Sequence, residues 1–176
     1  MLPLSGTMIT EPLLHRMKIL IIDDDRMTVT LLEQLLQRNG YNHVMGITDS
    51  RQAVETCAAF EPDLVLLDLI MPEVDGFAIL EALREDGSER FLPVVVLTGD
   101  VTEEAKARAL EAGATDFLIK PVSQIEALLR IRNLLEARRL NVVLRTQRAA
   151  LEEEVRDRTA ELREKIAELE AAQPVS

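Results

Sequence analysis

Several side chains that could do chemistry stand immediately after short apolar runs in this 176-residue chain. Asp23, Asp24 and Asp25 follow Ile19-Leu20-Ile21-Ile22. Asp68 follows Leu64-Val65-Leu66-Leu67, Thr98 follows Val94-Val95-Val96-Leu97, and Lys120 follows Phe117-Leu118-Ile119. Carboxylates brought together repel one another unless a cation or a proton relieves them. A hard oxygen donor set without Cys or His points to Mg²⁺ or Mn²⁺ rather than zinc. Mg²⁺ keeps several waters and takes few protein ligands, which leaves room for a phosphoryl oxygen. A carboxylate beside such a metal can attack phosphorus and form an acyl phosphate. The metal, Lys120 and Thr98 would then share the charge on the equatorial oxygens of a loose transition state. Taken singly, an Asp after a strand is as often a helix cap, a Lys-Pro is usually a turn, and a Thr is an ordinary strand residue. The joint arrival of these types at matching positions carries the chemical reading.

The elements that must position them follow from periodicity. The apolar runs, with a weaker one at His43-Val44-Met45, are short and rich in Val, Ile and Leu, as strands buried on both faces are. Between them the spacing of apolar residues predicts helices over about 28–39, 50–59, 76–86 and 103–112, and a fifth from Ser123. Asp49 with Gln52, Asp100 with Glu103, and Ser123 with Glu126 read as capping boxes. Gly40 and Gly113 fall where helix C-caps are expected. Five strands alternating with five helices predict an α/β fold, a doubly wound, five-stranded parallel sheet of flavodoxin-like strand order 2-1-3-4-5. In such a sheet, sites form beyond the carboxyl ends of the strands at the topological switch point.

Residues 17–137 resemble the receiver domain of two-component response regulators. The resemblance rests on Ile-Leu-Ile-Ile-Asp-Asp-Asp at 19–25 and Leu-Leu-Asp-Leu-Ile-Met-Pro-Glu-Val-Asp-Gly at 66–76. Val-Leu-Thr-Gly at 96–99 and Gly-Ala-Thr-Asp-Phe-Leu-Ile-Lys-Pro at 113–121 complete it. It implies that Asp68 accepts the phosphoryl group from a sensor histidine kinase or phosphotransfer protein. Asp24 would ligate Mg²⁺ directly and Asp23 through water, with Asp68 and the backbone carbonyl of Ile70 completing the protein ligands. Lys120 would neutralise a phosphoryl oxygen, and Thr98 and Phe117 would form the switch pair. Pro121 matches a cis-proline of the family, and Asp25 is expected beside the pocket rather than in it. Ile70 departs from the polar side chains common at its position, which implies a persistent phosphoryl group. The resemblance implies a regulatory domain that promotes its own phosphotransfer and dephosphorylation, not a separate enzyme, and the cysteine usage with no readable span or signal peptide predicts a cytoplasmic location.

Composition excludes other classes. The formal charge of −11, from 31 acidic and 20 basic residues, argues against a nucleic-acid binder. Aromatic residues make up 3% and Trp is absent, so base-stacking platforms are not expected either. The single cysteine, Cys57, excludes an intramolecular disulfide framework and reads as a small core residue. His15 and His43 lack neighbours at ligand spacing. No segment reads as a membrane span or signal peptide, and residues 1–16 read as a mobile leader.

The fifth helix is expected to continue far past a minimal receiver. From Ser123 to about Ala171 there is neither Gly nor Pro, and helix formers dominate, which predicts about 70 Å of helix. Leu128, Ile131, Leu135 and Val142 share one heptad-like phase, and Leu144 and Leu151 shift it. Val155, Leu162 and Leu169 form one row, with Thr159 and Ile166 the other. The shifts read as stutters in a parallel homodimeric coiled coil over 138–171, followed by a short tail at 172–176. A solvated single helix, or one folded back on the receiver, are the alternatives. The stretch from Leu151 to Leu162 resembles signalling linkers that join receivers to outputs such as cyclic-di-GMP phosphodiesterases, diguanylate cyclases or histidine kinases. A rival reading is a coiled-coil adaptor whose receiver is never phosphorylated. An aspartate-dependent phosphatase would need a second Asp where Ile70 stands.

Overall fold

The computed structural model describes residues 13–85, 91–99 and 102–173. Five parallel strands form one sheet: β1 (Lys18–Ile22), β2 (His43–Ile47), β3 (Leu64–Asp68), β4 (Val94–Thr98) and β5 (Asp116–Ile119). Their order is β2-β1-β3-β4-β5, the doubly wound arrangement expected from the alternation. The helices are α1 (Arg26–Arg38), α2 (Ala53–Phe60), α3 (Gly76–Glu85), α4 (Glu103–Glu111) and α5 (Gln124–Ala172). A 3₁₀ turn over Ser50–Gln52 leads into α2, so the helix expected from residue 50 begins as a tighter coil.

The strand alternation sorts the core into two layers. Ile19, Ile21, Leu64, Leu66, Val95, Leu97 and Leu118 face one way, against Val29, Leu32 and Leu36 of α1 and Ala127, Ile131 and Leu135 of α5. Leu20, Ile22, Val65, Leu67, Val94 and Val96 face the other way, against Cys57 of α2, Ile79 and Leu80 of α3 and Ala109 of α4. β1, β3 and β4 are covered on both sides, which is why they read as unbroken apolar runs. Cys57 is buried, as the core reading requires.

The expected leader is shorter than 16 residues at its folded end. Leu14 is 3% exposed within the first core layer. The His15 carbonyl accepts from Asn42 N–H, and the His15 ring meets Tyr41 edge-on. An apolar side chain four residues before the first strand thus had a core position to fill. Residues 1–12 lie outside the described residues, as does Asp100. The described N-cap of α4 is Thr102, whose hydroxyl accepts from Ala105 N–H.

The chain divides into two units, residues 1–138 and 139–176, and α5 supplies residues to both. In the first, α5 ends on a buried charge. Arg138 donates to the Phe91 carbonyl at 2.9 Å and its Nε lies 3.5 Å from the Asp63 carboxylate. In the second, the apolar side chains of α5 stand exposed to solvent. No helix among the described residues is long and apolar enough to cross a membrane.

Candidate functional site

The chain crosses over in opposite directions from β1 and β3, which leaves a crevice beyond their carboxyl ends. Asp23 lies one residue past β1, and Asp68 is the last residue of β3. Asp23 is fully buried, Asp68 is 6% exposed, and Asp24 is open to solvent. One carboxylate oxygen from each lies within 4.8 Å of the others. The donor set is three hard oxygens, so the residues present fit Mg²⁺ or Mn²⁺ and not a soft metal.

Lys120, one residue past β5, reaches into this acid group. Its Nζ donates to Asp23 Oδ2 at 2.7 Å and stands 3.4 Å from Asp68 Oδ2. Burial alone would lower the ammonium's pKa, but the hydrogen bond and charge of Asp23, then those of Asp68, outweigh it and raise it. The Asp68 carboxyl is pushed above the usual carboxylate range, first by burial and then by the Asp23 charge, with Lys120 opposing. Asp68 Oδ1 also accepts from Ile70 N–H at 3.3 Å.

Thr98 ends β4 and is 6% exposed. Its carbonyl accepts from Lys120 N–H at 2.8 Å, which sets the register of the Lys-Pro segment beside the site. Val96 pairs with Phe117 and Thr98 with Ile119, so Thr98 and Phe117 share one face of the sheet. Phe117 is half-buried, with Lys106 Nζ 5.4 Å and the Arg130 guanidinium 5.7 Å from its ring centroid. The Lys120–Pro121 peptide bond is cis.

Asp25 belongs to local structure. It is the N-cap of α1, accepting from Met27 N–H at 3.0 Å and from the Thr28 hydroxyl at 2.7 Å. Those bonds, the Thr28 hydroxyl first, hold its carboxyl below the usual range. Its own N–H donates to Asp23 Oδ1 at 2.9 Å, so the cap residue also orients a site carboxylate.

Two positions shape the loop between β3 and α3. A Cβ on Gly76 would lie 2.3 Å from the Asp68 carbonyl oxygen and 2.6 Å from Leu69 Cα, so only glycine lets α3 start so close to the site. Ser50, buried at the start of the 3₁₀ turn, donates to the Pro72 carbonyl at 2.8 Å and accepts from Val74 N–H at 3.1 Å. Reading the sequence missed Ser50, because a serine after a capping Asp looks like part of the cap. Ile70 stands 77% exposed at the mouth of the site.

Comparison with known proteins agrees with this architecture. The family model described as "Response regulator receiver domain" matches residues 19–132. The chain is 39% identical over 118 residues to the response regulator MprA of Mycolicibacterium vanbaalenii, covering 67% of this chain and 50% of that protein. It is 36% identical over 118 residues to the alkaline phosphatase synthesis transcriptional regulatory protein PhoP of Bacillus subtilis, covering 67% and 48%. The chain therefore spans about half the length of these curated relatives. The crystal structure of the BeF3-activated N-terminal receiver domain of Klebsiella pneumoniae RstA superposes with a TM-score of 0.61 at 31% identity, covering 67% of this chain and 97% of that one. Receivers of this family are regulatory domains phosphorylated on an aspartate, generally bind Mg²⁺ through an acidic pocket, and interact with histidine kinases or phosphotransfer proteins. With its sheet order, its acid pocket and the family match over residues 19–132, this chain belongs to the response regulator receiver family.

Proposed function

We propose that Asp68 is the phosphoacceptor of this receiver and that Asp23, Asp24, Asp68 and the Ile70 carbonyl hold the Mg²⁺ that phosphotransfer needs. The observation that carries the reading is the convergence of three carboxylates and one ammonium at the carboxyl ends of the strands. The bound metal would supply charge neutralisation for the incoming phosphoryl group. Asp68 is the carboxylate at the strand end, held by Ile70 N–H, and acts as the nucleophile. The Lys120 ammonium already touches both buried carboxylates and sits where it can share the negative charge of a phosphoryl oxygen. The Thr98 hydroxyl, at the adjoining strand end, bonds the phosphoryl group, and Phe117 on the same sheet face follows it.

The donor is a sensor histidine kinase or phosphotransfer protein, and the signal leaves through a homodimer of the C-terminal helix. The exposed apolar stripe of the second unit supports that step, since a lone helix in water has no reason to keep it. The test is phosphate incorporation from a small acyl phosphate with Mg²⁺. Incorporation abolished by Asp68→Ala supports the reading. No incorporation into the unaltered chain, at any Mg²⁺ concentration, supports the adaptor alternative instead.

A further inference from the structure

Most of the large apolar side chains of the second unit follow a period of eleven, and Val142 and Val143 are the ones that do not recur. From Leu140 the sequence runs as three successive eleven-residue blocks, LNVVLRTQRAA, LEEEVRDRTAE and LREKIAELEAA. Leu140, Leu151 and Leu162 open the blocks. Leu144, Val155 and Ile166 occupy the fifth place, Ala149, Ala160 and Ala171 the tenth, and Gln147, Arg158 and Leu169 the eighth. The first block begins at the boundary between the two units. Eleven residues make three turns plus about 20°, whereas seven make two turns less about 20°. On an α-helix the first, fifth and eighth places therefore stay within about 100° of arc along all three blocks. The shifts that look like stutters in a heptad frame are the regular advance of this longer repeat.

We propose that this stripe pairs with the same stripe of a second copy as an eleven-residue-repeat coiled coil, with straight or right-handed supercoiling. This rests on the homodimer reading above and specifies its interface. Three observations favour a second copy as the occupant. Contact along three blocks requires a partner of the same period, because a heptad helix would drift away by about 20° in the opposite sense with each repeat. The large side chains of the stripe are 47–67% exposed. They leave about 700 Å² on one copy and about 1,400 Å² on two, inside the ~1,200–2,000 Å² of stable specific interfaces. The surface also carries holes of the right form. Leu144, Gln147, Arg148 and Leu151 border one depression, which Glu152 and Val155 extend. These are the four-residue settings, spaced by three, four and seven, that receive a side chain from a facing helix.

The eighth place contains Gln147 and Arg158, polar residues within the stripe, and there the period can be tested. Sedimentation equilibrium of the full chain gives the dimer dissociation constant. Arg158→Leu is expected to tighten it at least tenfold, while Thr159→Leu and Lys165→Leu change it less than twofold. Leu140→Gln is expected to weaken it at least tenfold, although Leu140 lies outside every seven-residue row of the tail. All four positions are on the surface, and phosphorylation of Asp68 at an unaltered rate verifies that the receiver remains folded. Tightening by Thr159→Leu or Lys165→Leu, with Leu140→Gln silent, would overturn the eleven-residue interface and keep the dimer. A concentration-independent monomer would overturn the dimer reading and the interface with it.

Discussion

Lys120 donates to Asp23 at 2.7 Å and stands farther from Asp68, at 3.4 Å. The closer partner of the cation is therefore the fully buried carboxylate rather than the proposed phosphoacceptor. The ammonium is held beside Asp68 by a residue that is itself proposed to serve the metal. Charge removal at this site consequently affects stability as well as chemistry.

Lys120→Met should destabilise the metal-free protein by about 3 kcal/mol, because it leaves the buried Asp23 carboxylate unpaired beside Asp68. Urea unfolding in the presence of a chelator measures the loss, and Mg²⁺ should recover part of it. Stability equal to that of the unaltered chain would show that the pair contributes nothing.

The raised pKa of Asp68 sets a pH dependence for metal binding. Metal ligands must be deprotonated, so protons compete at Asp68 from a pH above the usual carboxylate range. Mg²⁺ affinity measured by calorimetry should be constant near neutral pH and fall as the solution is acidified through that raised value. The metal-free fold behaves in the opposite sense. The folded state holds this proton more tightly than the unfolded chain, so the contribution is fully present below the unfolded pKa and is lost as pH rises through the folded one. Asp68→Asn should flatten both profiles.

Ile70 offers no polar atom from its side chain at the mouth of the site, where it is 77% exposed. A water attacking a phosphorylated Asp68 would find no side-chain partner there. Ile70→Asn should shorten the acyl-phosphate lifetime several-fold, by about 1 kcal/mol of barrier. Decay of radiolabelled phosphoprotein is the measurement, and an equal or longer lifetime in the variant would contradict the role.

Ser50 and Gly76 hold the loop that carries Ile70. Ser50→Ala removes both bonds, to the Pro72 carbonyl and from Val74 N–H, and should cost about 1–3 kcal/mol. Gly76→Ala forces a methyl against the Asp68 carbonyl and should cost about 1–3 kcal/mol or displace α3. Both should slow phosphorylation more than Asp49→Ala. The Asp49 carboxylate caps the same 3₁₀ turn, but it accepts from Arg51 and Gln52, within three residues of it, and not from the loop. Thermal unfolding with phosphorylation kinetics separates the effects.

Much of the fold was legible because its signals are local. Four-residue apolar runs mark strands covered on both faces, and the site side chains stand directly after them, so element type and site composition emerge from spacing alone. Boundaries shifted where backbone hydrogen bonding rather than hydrophobicity decides them. The second helix starts as a 3₁₀ turn, and α1 begins at Arg26 because Asp25 caps it. Leu14 was assigned to a mobile segment because two prolines and a glycine precede it, yet it fills a gap beside α1 and α5 that no neighbouring sequence reveals.

The sequence by itself determined the alternation of strands and helices, the chemical types at the strand ends and the apolar stripe of the long last helix. These depend on contacts within one or two turns. Only the tertiary structure decided which site residues touch. Lys120 and Asp23 are 97 residues apart, and their bond exists because successive parallel crossovers put the carboxyl ends of β1 and β5 on the same side of one sheet. The same closure made Asp23 a buried ion-pair partner and Ser50 a tie across 22 residues. A residue's type sets what it can bond, but the folded chain sets what lies within reach.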